Sequence, residues 1–139
     1  MKTHTVEEVR ALAKPKRGKR TPESIVKAAC SLILSAHGIF WWNNSTTGIY
    51  DPSSSKFRTN KGQRGVSDLL GILPQQSYSV GGVRSVAQGR FLAVEVKAGK
   101  NKMTADQERF LQNVNDAGGL GLCVWSALEL HEALNREGY

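Results

Sequence analysis

Within Gly89-Arg-Phe-Leu-Ala-Val-Glu-Val-Lys97, Arg90 to Lys97 reads as the strongest β-strand in the chain. Leu92, Val94 and Val96 leave one face of such a strand and enter a core, while Glu95 and Lys97 leave the other face together. An acid and an amine on an otherwise apolar strand are costly to bury unless they are paired or bind a ligand. This strand therefore belongs inside a sheet and carries chemistry near its end.

A second segment poses the same problem. Val66-Ser-Asp-Leu-Leu-Gly-Ile-Leu73 reads as a strand with Asp68 set into it. If the two strands are neighbours, Asp68 and Glu95 can share one hard cation such as Mg²⁺, with Mn²⁺ as a substitute. Such an ion takes one or two protein carboxylates and leaves its other positions to water and phosphate. It polarises a scissile phosphate and lowers the pKa of an attacking water. Lys97 then holds that water or stabilises charge on the phosphate oxygens. The competing reading is structural, an Asp68–Lys97 or Glu95–Lys97 ion pair.

Working outward, Thr21 caps a helix with Pro22 in its first position. Ile25, Val26, Ala29, Leu32, Ile33 and Ala36 recur at helical spacing, and Gly38 closes the element. Ile39 to Trp42 is a strand, and residues 48–50 form a short extended piece. Trp41 and Trp42 face opposite ways on that strand, which leaves one of them open to a base or a subunit contact, although core packing is the commoner role. Residues 51–65 read as an exposed basic loop, and Gly81-Gly82 as the turn of a hairpin. Thr104 caps a helix running to about Ala117, Leu120 to Trp125 is a strand, and Ser126 with Glu129 forms a capping box for a last helix ending near Arg136. This order gives an α/β domain: a mixed β-sheet core flanked by α-helices. His4, His37 and His131 read as isolated and match no ligand spacing.

The chain has 139 residues, 40% of them hydrophobic, which is enough for one domain with a sizeable core. Its formal charge of +7 favours an anionic partner, nucleic acid before a membrane surface. Residues 1–20 hold seven basic and two acidic residues, a balance of +5, centred on Lys14-Pro-Lys-Arg-Gly-Lys-Arg20. Lys16, Arg17, Lys19 and Arg20 there form a flexible basic arm able to neutralise phosphates. Lys56, Arg58, Lys61 and Arg64 before Asp68, with Lys100 and Lys102 after Glu95, make two further basic runs that flank the acids. No apolar run approaches a membrane span, and no small-molecule cofactor is called for. Cys30 and Cys123 lie far apart in apolar surroundings, which fits a reducing cytoplasm.

Three blocks taken in order are more specific than any triplet. Arg64-Gly-Val-Ser-Asp-Leu-Leu-Gly71, then Gly89 to Lys97, then Thr104-Ala-Asp-Gln-Glu-Arg-Phe110 resemble the VRR-NUC family of the PD-(D/E)xK, or restriction-endonuclease-like, nuclease superfamily. The resemblance runs from about Thr21 to the C-terminus, so it divides the chain into the arm (1–20) and a nuclease domain (21–139). It implies that Asp68, Glu95 and the backbone carbonyl of Val96 are metal ligands, and that Lys97 is the catalytic lysine. It also implies that Glu23 supports the metal through water and that Gln107 lies beside the active site. Both have a plainer role, Glu23 as an acid in a first helical turn and Gln107 as the returning half of a capping box at Thr104. Ser67 stands where the superfamily's name has proline, a position without a metal-binding role.

Small stand-alone members of the family resemble Holliday-junction resolvases and act as homodimers, encoded by bacteria or phages. The expected activity is thus a Mg²⁺-dependent DNA endonuclease on branched DNA, first of all a four-way junction. Two alternatives stay open. One is a flap or branched-DNA nuclease working as a monomer or in a larger assembly. The other is a non-catalytic DNA-binding subunit of the same fold.

Overall fold

Helix α1 (Pro22–Ala36) begins where the capping signal places it. Thr21 takes extended backbone angles, and its hydroxyl accepts from the Ser24 N–H at 3.2 Å. Gly38 follows the helix at φ +68°, a left-handed angle that favours glycine. The chain then runs through β1 (Phe40–Asn43), β2 (Ile49–Asp51), β3 (Lys56–Arg58), β4 (Leu69–Leu73), β5 (Ser79–Val80), β6 (Val83–Arg84), β7 (Arg90–Val96), α2 (Ala105–Asp116), β8 (Leu120–Val124) and α3 (Ala127–Arg136). This is a computed structural model, and it describes residues 7, 21–44, 49–58, 62–74, 79–80, 83–84 and 89–139. The basic arm and Lys61 lie outside the described residues.

The main sheet has the order β1-β4-β7-β8. β4 pairs antiparallel with both β1 and β7, while β7 and β8 are parallel and joined by the α2 crossover. α1 and α3 cover one face, where Ile33, Leu34, Leu92, Val94, Val96, Leu130 and Leu134 form the larger core. α2 covers part of the other face through Leu111 and Val114 on Leu70 and Ala93. This mixed sheet between helices is an α/β fold of the restriction-endonuclease-like kind.

α2 leaves the rest of its face open. Phe40, Ile72 and Phe91 form one rung across three strands, and all three are exposed. Trp42, on the same face of β1, packs against Phe40 with ring centroids 5.8 Å apart and is 39% exposed. Trp41 faces the larger core and donates its indole N–H to Ser35 at 2.8 Å. The two tryptophans divide between the faces, as alternation requires.

Four local expectations are corrected. β4 starts at Leu69 rather than Val66, because the Asp68 side chain takes over the next hydrogen bond of the ladder. The supposed 51–65 loop contains β3, which pairs with β2 in a hairpin held by Asp51 accepting from Ser53. Glu129 does not close a box on Ser126; its carboxylate reaches one residue further, to the Trp125 N–H at 2.8 Å. His37 and His131 are not isolated: their rings meet at 2.9 Å and tie the end of α1 to α3. The hairpin expected around Gly81-Gly82 is present as β5 and β6, although the two glycines lie outside the described residues. Cys30 and Cys123 are both free.

Candidate active site

The acids meet because of strand register. The last paired residues of β4 and β7 are Leu69 and Val94. Carried one position further, that register sets Asp68 opposite Glu95 at the end of the ladder, where the Asp68 side chain turns to the Val96 N–H and to Lys27 of α1. Glu95, by alternation with Ala93, lies on the face α2 covers, and the site sits at the end of the sheet between α1 and α2. Asp68 is anchored at both ends. Its carbonyl accepts from the Asn44 N–H at 2.9 Å, and its Oδ2 accepts from the Val96 N–H at 3.0 Å.

Glu95 is almost wholly buried, at 2% exposure. Its Oε1 accepts from Lys97 Nζ at 2.8 Å and from Gln107 Nε2 at 2.5 Å. The Glu95–Lys97 ion pair is therefore real, and Asp68–Lys97 is not the pairing. Gln107 fills both roles open to it: its Oε1 accepts from the Thr104 N–H at 2.9 Å, which closes the capping box, while its amide nitrogen reaches Glu95. Burial pushes the Glu95 carboxyl above its ordinary range; Lys97 opposes this, and the charges of Asp68 and Glu23 add to it. Burial alone lowers the Lys97 ammonium, but its hydrogen bond to Glu95 and the charges of Glu95, Glu23 and Asp68 outweigh this and raise it. The neighbouring carboxylates favour the protonated form at both positions, adding to burial at Glu95 and opposing it at Lys97.

The second amine is Lys27 on α1, which sequence reading missed. Its Nζ contacts Asp68 Oδ1 at 3.0 Å, and both side chains are about one quarter exposed. A single lysine on an amphipathic helix gives no signal by itself. Its place one turn after Glu23, on the stripe that faces Asp68, is what could have found it. Glu23 is half-buried and close enough for its charge to act on Glu95 and Lys97.

The donor set suits a hard divalent cation. Asp68 and Glu95 supply carboxylate oxygens, and like charges set opposite each other are unfavourable without a cation between them. The Lys97 N–H bonds the Val124 carbonyl toward β8, so alternation turns the Val96 carbonyl toward the Asp68 side. Among the described residues no three His, Cys, Asp or Glu side chains form a cage for a metal. Two carboxylates and a carbonyl could hold a hard divalent cation whose other positions go to water and phosphate.

The VRR-NUC domain model matches residues 39–123 of the chain. This chain belongs to the VRR-NUC family. No curated protein and no solved structure matches it. VRR-NUC proteins are nucleases that act on DNA and generally use divalent metals. The VRR-NUC match contains Asp68, Glu95, Lys97 and Gln107, whereas Glu23 and Lys27 come from α1, ahead of it.

The basic residues divide. Arg64 is exposed beside α2 and lines a shallow cavity of about 410 Å³ with Gln63, Asp106, Arg109 and Phe110. Gly65, at φ +74°, fixes that approach, because a Cβ there would collide with the Asp106 carbonyl. Lys100 and Lys102 are exposed in the turn that leaves β7. Lys56 and Arg58 lie on the separate β2–β3 hairpin, Lys56 exposed and the Arg58 side chain outside the described residues. No described helix is long and apolar enough to cross a membrane.

Proposed function

We propose that this VRR-NUC protein is a Mg²⁺-dependent DNA endonuclease, able to use Mn²⁺, that cuts branched DNA as a homodimeric four-way-junction resolvase. The observation that carries the reading is the placement of Asp68 opposite Glu95 with Lys97 bound to Glu95. Asp68, Glu95 and the Val96 carbonyl would hold the metal, with Glu23 acting through water. When bound, the ion supplies Lewis-acid polarisation of the phosphate and a water of lowered pKa.

The chain's own residues do the rest. Gln107, fixed to the α2 cap, orients the Glu95 carboxylate, and the Val96 N–H orients that of Asp68. Lys97 keeps its proton beside Glu95 and stabilises charge growing on the scissile phosphate. Arg64, Lys100 and Lys102 flank the site and suit backbone contacts, while the arm at 1–20 adds sequence-blind affinity. Branched DNA is favoured by the exposed Phe40–Trp42 pair, which lies on the same sheet face as Glu95. Aromatic faces stack on bases that a branch point has left unpaired. A two-fold dimer brings two such sites to a junction whose strands are symmetrically paired.

The test is cleavage of labelled duplex, single strand, 5′ flap, 3′ flap and four-way junction in Mg²⁺ or Mn²⁺, with Lys97→Ala as control. Paired symmetric nicks on the junction, absent in the variant, are expected. Flap cutting alone overturns the resolvase reading. Absence of any variant-sensitive cutting leaves a DNA-binding subunit.

A further inference from the structure

We propose that Lys27 is an exchangeable counter-ion of Asp68 that moves to a DNA phosphate when substrate arrives, and so couples metal binding to DNA binding. This rests on the nuclease reading above. The two carboxylate oxygens of Asp68 are held differently. Oδ2 accepts from the Val96 backbone at 3.0 Å, within the sheet, whereas Oδ1 contacts only a side-chain amine, Lys27 Nζ, among the hydrogen bonds of the described residues. Oδ1 is thus the oxygen open to a cation, and Lys27 is on it.

The two amines of the site are also unequal. Lys97 is locked beside Glu95, with side-chain exposures of 9% and 2%, while the Lys27–Asp68 pair is open at 24% and 22%. A pair one quarter open to solvent is less firmly held than the buried one, and its lysine can exchange between anions. Lys27 also has a rigid base. Its carbonyl accepts from the Ser31 hydroxyl within α1, so only the side chain needs to swing.

The charge balance gives the direction. Without substrate, the Lys27 ammonium sits where a divalent cation must approach, and the two repel. A phosphate at the site offers the ammonium another anion, and lysine binds phosphate well as a point charge. Lys27 leaves Asp68 Oδ1 for the phosphate, and the carboxylate is freed. DNA therefore tightens metal binding, and metal must tighten DNA binding by the same factor.

The experiment is Mn²⁺ titration, read by EPR of the free ion, on the full chain with and without a four-way junction whose integrity is checked on a denaturing gel after each titration. It is run on wild type, Lys27→Met, Lys27→Gln and Lys27→Arg. Wild type is expected to bind Mn²⁺ roughly five- to tenfold more tightly with the junction, the low end of ordinary coupling between sites. Lys27→Met, which keeps the aliphatic length and helix propensity, is expected to bind Mn²⁺ more tightly than wild type without DNA and to lose the junction effect. Lys27→Gln must agree with it, and Lys27→Arg is expected to retain coupling. If wild type binds Mn²⁺ and cuts DNA but the neutral variants bind Mn²⁺ no better, the proposal is overturned and the nuclease reading stands. If wild type binds no Mn²⁺ and cuts nothing, both fall together.

Discussion

The β4–β7 register, carried one position past the Leu69–Val94 pair that ends the ladder, sets Asp68 opposite Glu95. Residues directly opposite in an antiparallel pair have Cβ atoms about 5 Å apart, and two carboxylates there repel. Lys27 and Lys97 offset part of that repulsion, and a divalent cation between the acids would offset more. Asp68→Asn and Glu95→Gln are expected to lower cleavage roughly 10³-fold, the effect of removing several kcal/mol of transition-state stabilisation. Wild type is also expected to melt at a higher temperature in Mn²⁺ than in EDTA, since a metal bound only to the native state stabilises it. The difference should vanish in both variants. Persistence of the Mn²⁺ shift in Glu95→Gln would place the ion elsewhere.

Gln107 separates orientation from folding. Its Oε1 closes the cap of α2, and its amide nitrogen holds Glu95. Gln107→Glu keeps an acceptor for the cap but turns the donor into a third acid beside Glu95. Gln107→Ala loses both. We expect Gln107→Glu to melt within a few degrees of wild type and to cut at least about tenfold more slowly, because Glu95 loses the donor that orients its carboxylate. Gln107→Ala should be about 1 kcal/mol less stable as well. Equal cleavage rates for Gln107→Glu and wild type would reduce Gln107 to a cap.

The legibility of this chain follows the range of each signal. Caps at Thr21 and Thr104, the periodic face of α1 and the apolar run of β7 are local, and the sequence spells them out. Asp68, Glu95, Lys97 and Gln107 were legible because their ordered spacing resembles a family, and the fold brings all four together. Lys27 and the His37–His131 contact were not, because each depends on packing α1 against distant elements. The first residue of β4 was also hidden. Asp68 occupies a strand position in sequence, yet its side chain replaces a backbone bond there.

Trp42 offers a test of substrate choice that leaves the chemistry untouched. It is exposed on the face that carries Glu95, its ring tilted against Phe40, with no part in the larger core. Base–aromatic stacking is worth about 1–3 kcal/mol per base. Trp42→Ala is expected to weaken four-way-junction binding about tenfold while duplex binding stays within twofold, with little loss of stability because the side chain is partly solvated. A gel-shift comparison in Ca²⁺ decides this, and equal losses on both substrates would count against stacking at the branch.

Alkaline unfolding should report on Cys30. The thiol is fully buried in the α1 core, and burial first, with the charges of Glu129 and Asp68 second, pushes it from an ordinary value near 9 up to about 12. A group whose folded pKa is raised stabilises the fold fully below its unfolded pKa, and that contribution is lost as pH rises through the folded value. The window is therefore pH 9 to 12. At 1.36 kcal/mol per unit the loss has an upper limit of about 4 kcal/mol. Melting temperature should fall more steeply above pH 9 in wild type than in Cys30→Ala, which costs some packing at every pH but carries no titrating group. Parallel curves would mean that the thiolate is accommodated without opening the core. Neutral thiol reagents supply an independent check, because a thiol held protonated and out of solvent reacts only after the helix leaves the sheet.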